Sequence, residues 1–363
     1  MSSVRSVGVE EELLLVDPAR ATAAPLGEQV VGDAAAGRPE PPVEHEFKQE
    51  QVEIASKPQQ DLQQLLADLR AQRAVADAAA RERGIRIAGL GTHPGKLRTR
   101  GTEDPRYHRM VAEFGLLAAE QLTCGQHIHV QIGSRAEGVQ ALNRIRGWLA
   151  VLLALSTNSP FWQEQDTGYA SYRSVLWGRW PSAGPTELYP DEAAYQAAIQ
   201  AQLAAGSALD DGMIYFDARL SARYPTVEIR VADVSSDVRT AALLAALARG
   251  LVEQAARSHD RPPLAVSVPV LRAASWRAAR FGLTGTLLDP RTGQQQPAWT
   301  VVEVLLEQLS PALAAAGDLS FVTEQLQRIR NHGTGAHRQR AVLAETGDLA
   351  AVLADAVART GSG

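Results

Sequence analysis

Three glutamates in a row interrupt an otherwise apolar segment near the start of the chain. Val7-Gly-Val-Glu-Glu-Glu-Leu-Leu-Leu-Val16 reads as a strand that ends at the turn signal Asp17-Pro18. A period of two puts Glu10 and Glu12 on one face, about 6.6 to about 7 Å apart, and turns Glu11 away with Val9 and Leu13. Like charges at that spacing repel, so the segment is either a solvated edge strand or one wall of a cation site. Glu44, Glu46, Glu50 and Glu53 repeat the theme in a second strand-like stretch, Glu44 to Ser56. Glu46 and Glu53 differ by an odd number. They share a face only if a bulge or break lies near Lys48-Gln49; otherwise the stretch is an exposed charged strand.

Two further segments alternate in the same way. In Gln126 to Ile132, His127, His129 and Gln131 lie opposite Ile128, Val130 and Ile132. Such histidines can ligate a metal, meet a nucleotide or simply be structural. In Thr226 to Ala232, Glu228 and Arg230 share the polar face. They form either a plain ion pair or a metal-holding carboxylate beside a phosphate-holding guanidinium, and both readings predict a buried, paired Arg230. A carboxylate-lined sheet face suits hard cations, and two or more Mg²⁺ ions there suit phosphoryl transfer.

Other chemistries lack their residues. His45-Glu46 does not begin a zinc-protease HExxH, since position 49 is Gln. Gly89-Leu-Gly-Thr-His-Pro-Gly-Lys96 fails as a P-loop at Leu90 and Leu97, and as GxGxxG at Pro94. There is no GxSxG elbow, and Cys124 carries no signal of a nucleophile. If ATP is used, a different architecture must hold it.

The elements that must position these residues are those of a soluble α+β protein. The 363 residues are 45% hydrophobic and 21% charged, with a net charge of −5. That balance argues against a nucleic-acid binder, which needs clustered Lys and Arg. A single cysteine excludes an internal disulfide, and no signal core or membrane-length apolar run is present, so a cytoplasmic location is expected. Ala19 to Pro42, rich in Pro, Gly and Ala, reads as an irregular excursion. Asp61 caps a helix through Leu62, Leu65, Leu66 and Leu69 that closes at Gly84, and Ile85 to Leu90 resumes as a strand. Helices are expected over Ala141 to Leu155, Ala193 to Ala204 and Arg239 to Arg257, and from Trp276 onward apart from a turn at Leu288 to Gly293. Strands joined by helices without a regular alternation favour an antiparallel sheet in one catalytic domain, residues 1–363, mainly helical from about residue 268. The aliphatic helices Ala141 to Leu155 and Arg239 to Arg257 either bury apolar surface in a homodimer or pack on the back of the sheet.

Seven motifs in order carry a resemblance that spans Gly8 to Arg340. They are Gly8-Val-Glu-Glu-Glu12, Gln51-Val-Glu-Ile-Ala55, Gly91-Thr-His-Pro94, Cys124-Gly-Gln-His-Ile-His-Val130, Thr167-Gly-Tyr-Ala-Ser-Tyr-Arg173, Pro225-Thr-Val-Glu-Ile-Arg-Val-Ala-Asp233 and Gly333-Thr-Gly-Ala-His-Arg-Gln-Arg340. Together they resemble the glutamate–cysteine ligase type 2 family of bacterial carboxylate–amine ligases. The resemblance implies a glutamine-synthetase-like curved antiparallel sheet, a half-barrel funnel backed by helices, with ATP and Mg²⁺ or Mn²⁺ inside. It implies that ATP phosphorylates a carboxylate, typically the γ-carboxylate of glutamate, and that an amine attacks the acyl phosphate. By motif, the metal residues fall on Glu10, Glu12, Glu46, Glu53, His127 and Glu228, with Glu53 also counted as catalytic. Arg230 falls where a catalytic, phosphate-contacting arginine is expected. Arg173 is the candidate for a substrate carboxylate. Arg338 and Arg340 either close over nucleotide phosphates or make surface pairs. The partners implied are small amino-acid or amine substrates, with no nucleic acid and no membrane. A small-metabolite kinase and a catalytically idle binding or regulatory homologue are the alternatives on the same fold.

Overall fold

The glutamate-bearing strand Val7–Asp17 (β1) is central to the sheet rather than at its edge, because other strands pair with it on both sides. A computed structural model describes residues 4–37, 42–258 and 260–361. The main sheet adds Thr22–Ala23 (β2), Glu44–His45 (β3), Gln51–Ala55 (β4), Arg86–Ala88 (β5), Gly125–Gln131 (β6), Ala218–Leu220 (β7) and Thr226–Asp233 (β8). Its order is β3-β4-β1-β6-β8-β7, with β2 and β5 also paired to β1, and every pairing is antiparallel. The expected α+β architecture is therefore present.

One face of the sheet is apolar and covered by helices. Val7, Val9, Ile128, Val130, Val227 and Ile229 pack in one core with the helices Arg135–Ile145, Leu149–Ser156 and Val238–Arg257. Every residue of Leu149–Ser156 is buried, as are fourteen residues of Val238–Arg257. These helices thus cover the back of the sheet and do not offer the dimer surface that was the other expectation for them. The helix Leu62–Glu82 begins as its sequence dictates: the Asp61 carboxylate accepts hydrogen bonds from the Gln63 and Gln64 amides, and Leu62, Leu65, Leu66 and Leu69 are buried. Gly84 follows it at φ +71°, a conformation open to glycine.

Several elements differ from the sequence reading. Ala19 to Pro42 is not wholly irregular: it contains β2 and a helix, Gly27–Ala35, that buries Val30, Val31 and Ala34, while residues 38–41 lie outside the described set. Its many small residues allow close packing, and composition alone hides that. The stretch Glu44 to Ser56 is a hairpin, β3 and β4, with the break at 46–50 that the spacing of Glu46 and Glu53 required. The helix expected over Ala141 to Leu155 starts earlier, at Arg135 behind the Ser134 cap, and is interrupted by a 3₁₀ turn at Arg146–Trp148. Leu288 to Gly293 is the end of a β-hairpin, Thr286–Asp289 with Gln294–Pro297, rather than an isolated turn. From Val268 onward the described chain is otherwise helical, with helices at Val268–Phe281, Ala298–Ala316, Leu319–His332, Gly335–Thr346 and Leu349–Gly361.

Candidate active site

Directly opposed residues of neighbouring strands point to the same face, so the sheet register alone assembles the site. Glu44 faces Glu53, and Glu53 faces Glu12. One rung along, Glu10 faces His127, and on the next His129 faces Glu228, which faces Arg219 of β7. The result is a patch of carboxylates, imidazoles and guanidinium groups on the face opposite the helical core. Glu11, between the two site glutamates, points to the other side, where its carboxylate takes two 2.7 Å bonds from the buried Arg73 guanidinium.

The contacts are close. His127 Nδ1 is 3.4 Å from Glu10 and its Nε2 is 3.6 Å from Glu12, while His129 Nε2 is 3.2 Å from the other oxygen of Glu10. Glu228 is held at 2.8 Å by Arg219 and also pairs with Arg230. The β6–β8 register slips between Ile229 and Ala232, and Arg230 sits in that slip with Nη1 3.5 Å from His127. Arg230 is buried and paired, as both sequence readings required.

The charges are unevenly compensated. Burial raises the carboxyl of Glu10, but hydrogen bonds from His127 and His129 outweigh it and hold it low. Glu228 is likewise held low, against burial, by the charges of Arg230 and Arg219. On the β4 side the relief is too small to offset burial. Burial, then the charge of Glu12, pushes Glu46 up to about 7. Burial and the charges of Glu10, Glu46, Glu12 and Glu44 push Glu53 well above the carboxylate range. Burial and the charge of Arg230 lower His127, so its imidazole stays neutral and one of its ring nitrogens keeps a lone pair to offer.

These features fit a divalent cation. Glu10, His127 and Glu228 each offer a ligand atom within 4.8 Å of the others, and so do Glu12, Glu53 and His127. His127 Nε2 is buried without a hydrogen-bond partner. The donors are mostly carboxylate oxygens, the preference of Mg²⁺ and Mn²⁺, and on the crowded β4 side the charge of Arg230 offsets the burial of Glu46 only in part. Five of the six metal candidates from the sequence thus form two triads. Glu46 stands beside them, in the turn between β3 and β4, with one oxygen accepting a 2.7 Å bond from the Phe47 amide.

The remaining candidates separate. Arg173 is buried on the Gly125 end of β6, where a Cβ at Gly125 would lie 2.1 Å from its Nη2. The Gly125 amide itself donates to Glu12, so this glycine lets Arg173 and Glu12 approach the same backbone atom group. The Arg173 guanidinium donates to the Val231 and Arg230 carbonyls at 3.5 and 3.3 Å, and its charge acts on the buried Asp233, which accepts from the Ser159 and Ser171 hydroxyls at 2.7 Å and from the Asn158 amide at 2.8 Å. Arg338 and Arg340 instead pair with Asp355 and Asp166, both at 2.6 Å, in half-exposed surface bridges; of the two readings of these residues, the geometry fits the surface pair. Cys124 is buried, and burial with the charge of Glu12 pushes its thiol far up, so it is no nucleophile. Arg219, Trp177 and Tyr215 were missed in the sequence. Arg219 lies in a three-residue strand too short to show a period, and the two aromatics reach Arg230 only through the fold.

The chain resembles known proteins along almost its whole length. Residues 6–355 match the profile described as glutamate–cysteine ligase family 2. A Streptomyces coelicolor protein with the provisional name glutamate–cysteine ligase 2 is 48% identical over 360 residues, covering 98% of this chain and 99% of the relative. A provisionally named glutamate–cysteine ligase 2-1 of Paenarthrobacter aurescens is 44% identical over 366 residues, covering 99% and 95%. The fold is shared with the glutamate–cysteine ligase of Francisella tularensis solved with AMP, at TM-score 0.68 and 14% identity over 99% of this chain and 89% of that one. It is shared with the bifunctional glutathione synthetase of Pasteurella multocida at TM-score 0.69 and 16% identity, covering 99% of this chain and 52% of that longer one. The chain belongs to glutamate–cysteine ligase family 2, a family of carboxylate–amine ligases built on the glutamine-synthetase-like fold.

Proposed function

We propose that the protein uses ATP to activate the γ-carboxylate of glutamate and joins it to an amine as a γ-glutamyl amide. The observation that carries the reading is the pair of triads, Glu10/His127/Glu228 and Glu12/Glu53/His127, on one sheet face beside Arg230. When bound there, divalent cations of the Mg²⁺ or Mn²⁺ type supply positive charge to the nucleotide phosphates and the incoming carboxylate, whose mutual repulsion otherwise dominates the barrier. The chain's own residues do the rest. Glu10, Glu12, Glu53, His127 and Glu228 hold the cations, with Glu46 beside them. Arg230 donates hydrogen bonds to the transferred phosphoryl group, and Glu228 and the flanking rings of Trp177 and Tyr215 keep its guanidinium in place. The carboxylate oxygen takes the γ-phosphoryl group and ADP leaves. The amine nitrogen then bonds to the acyl carbon as the bond to phosphate breaks, releasing inorganic phosphate and a proton.

The test is incubation with ATP, Mg²⁺ and glutamate, with and without an amine such as cysteine, read by ADP release and product mass. Ligation gives an amide and amine-stimulated ADP release. A stable phosphorylated product formed equally well without amine identifies a kinase and overturns the reading. Bound ATP with no ADP release for any acid and amine removes catalysis altogether.

A further inference from the structure

The motif Gly333-Thr-Gly-Ala-His-Arg-Gln-Arg340 takes no part in the cation cluster, yet it builds one wall of a cavity of about 610 Å³. It turns the chain from the helix Leu319–His332 into the helix Gly335–Thr346. Its glycines are needed there: Gly333 has φ +78°, and a Cβ at Gly335 would lie 2.1 Å from Asn158 Oδ1. Other walls come from the end of the helix Val268–Phe281 and from the segment around Gly168. No residue of the two triads lines this cavity, and neither does Arg173 or Arg230. Its volume lies within the range of about 300 to about 1,000 Å³ typical of pockets that hold metabolite-sized molecules.

The lining is rich in donors and poor in acceptors. Arg280, Arg330 and Arg340 line the cavity against one carboxylate, Asp166. Arg330 is already bridged to Glu303 and Arg340 to Asp166, both at 2.6 Å. Arg280 differs: among the described residues it makes no hydrogen bond or ion pair, and its guanidinium carbon lies 5.4 and 5.0 Å from the ring centroids of Tyr169 and Phe281. Ring contacts attract a cation without supplying the oxygen acceptors that its five N–H groups match. Two neutral donors add to it. Trp299 Nε1 has no partner among the described residues, and Asn331, whose side-chain oxygen accepts from Gln327 at 2.9 Å, keeps its NH₂ group free. Arg280 and Trp299 are half-buried and Asn331 is exposed, so a solute can reach these side chains. On a chain of net charge −5, an uncompensated guanidinium in a donor-rich cavity is a local feature that selects for anions.

We propose that this cavity binds an anionic metabolite in which a phosphate or carboxylate group is joined to an apolar body. The oxyanion takes the free N–H groups of Arg280, with Asn331 and Trp299 Nε1 as further donors, and the body lies against Phe281, Leu283 and Ile329. Arg340 keeps its bridge to Asp166. A bare inorganic anion would leave most of the volume unfilled. The site is separate from the carboxylate cluster, so the proposal does not depend on the ligase reading, and the failure of either leaves the other standing.

The test is calorimetric titration of the full chain with phenyl phosphate, phenylacetate and benzyl alcohol in the presence of a chelator. The three probes share one ring, and the chelator removes any cation that would draw the anions to the glutamate cluster. Both anions are expected to bind at least about ten-fold more tightly than the neutral alcohol. Either order of the two anions supports the site and names its oxyanion. Arg280→Gln is expected to weaken both anions about ten-fold or more, and Asn331→Asp, which adds a like charge at an exposed position, to weaken them as well. Arg230→Gln is expected to leave their affinity within about two-fold, since Arg230 does not line this cavity. No anion binding tighter than about 1 mM overturns the proposal, as does equal binding of benzyl alcohol. Unchanged anion affinity in either Arg280→Gln or Asn331→Asp also overturns it, and loss of binding in Arg230→Gln does so by moving the probes to the carboxylate face.

Discussion

Glu53 shows at the scale of one residue what the site costs the metal-free protein. It faces Glu12 across β1 and β4 and is surrounded by further carboxylates. A group whose carboxyl is raised in the folded state is still protonated there when it has already ionised in the unfolded chain. It therefore removes stability as pH rises between the two values. Glu46, pushed up to about 7, and Glu53, raised in the same direction, give the metal-free protein a stability that falls as pH rises from about 4.5 to about 7. Glu10 and Glu228 do not mask the trend, since they are held low and their contribution is lost only as pH falls below about 4.5. Thermal unfolding at about pH 5 and about pH 8 checks this, with Mg²⁺ or Mn²⁺ expected to restore the loss at the higher value and to bind weakly at the lower. A flat profile without metal contradicts it. Glu53→Gln is expected to stabilise the metal-free protein at neutral pH by about 1 to about 3 kcal/mol and to abolish turnover. Retained turnover would take Glu53 out of the site.

At the scale of the element, β1 carries adjacent glutamates with opposite consequences. Glu10 and Glu12 face the cluster, whereas Glu11 is fully buried on the helical side and is held bidentately by Arg73, which also donates to the Ser235 and Ser236 carbonyls. That one guanidinium fastens the helix Leu62–Glu82 to β1 and to the loop after β8. Glu11→Gln leaves the Arg73 charge buried without its counter-ion, so it is expected to destabilise the fold by about 3 to about 5 kcal/mol. The sign is the reverse of that for Glu53→Gln. Chemical denaturation of the two variants side by side decides it, and equal shifts would contradict the two-faced strand. The alternation of β1 was legible in the sequence, as was the need for a break between Glu46 and Glu53. What filled the break was not, because a five-residue turn carries no period to read.

At the scale of the whole molecule, the C-terminal helices serve packing. Leu353, Ala356 and Val357 of the last helix join the core around Leu13, Leu15 and Ile87, and the Thr360 hydroxyl accepts from the Gly89 amide. Arg249 and Asp318 form a buried pair that ties the helix Val238–Arg257 to the start of Leu319–His332. Arg338 belongs to this scaffold through its exposed bridge to Asp355, worth about 0 to about 1 kcal/mol. Arg338→Ala is expected to leave KM for ATP within about two-fold and the unfolding midpoint nearly unchanged. A large rise in KM for ATP would return Arg338 to the nucleotide site.

Alternation along single strands is a local property, so the sequence by itself determined which side chains of β1, β6 and β8 up to Ile229 share a face, beyond which a register slip breaks the period of β8. It also determined the capped helix after Asp61, the α+β class and, through ordered motifs, the family. None of that says which strands are neighbours. Register across β3, β4, β1, β6, β8 and β7 is decided by long-range pairing, and only that pairing set Glu53 opposite Glu12, His129 opposite Glu228, and Arg219 beside Glu228. The same holds for the aromatic cavity beside Arg230. Tyr169, Trp177, Tyr215 and Trp276 come from separate segments, and Arg173 and Arg230 acquire unpaired buried donors only once the loops close over them. A guanidinium in a sequence is an ordinary solvated charge; burial of Arg230 against Glu228, with its Nε and that of Arg173 left unpartnered, is a property of the packed chain.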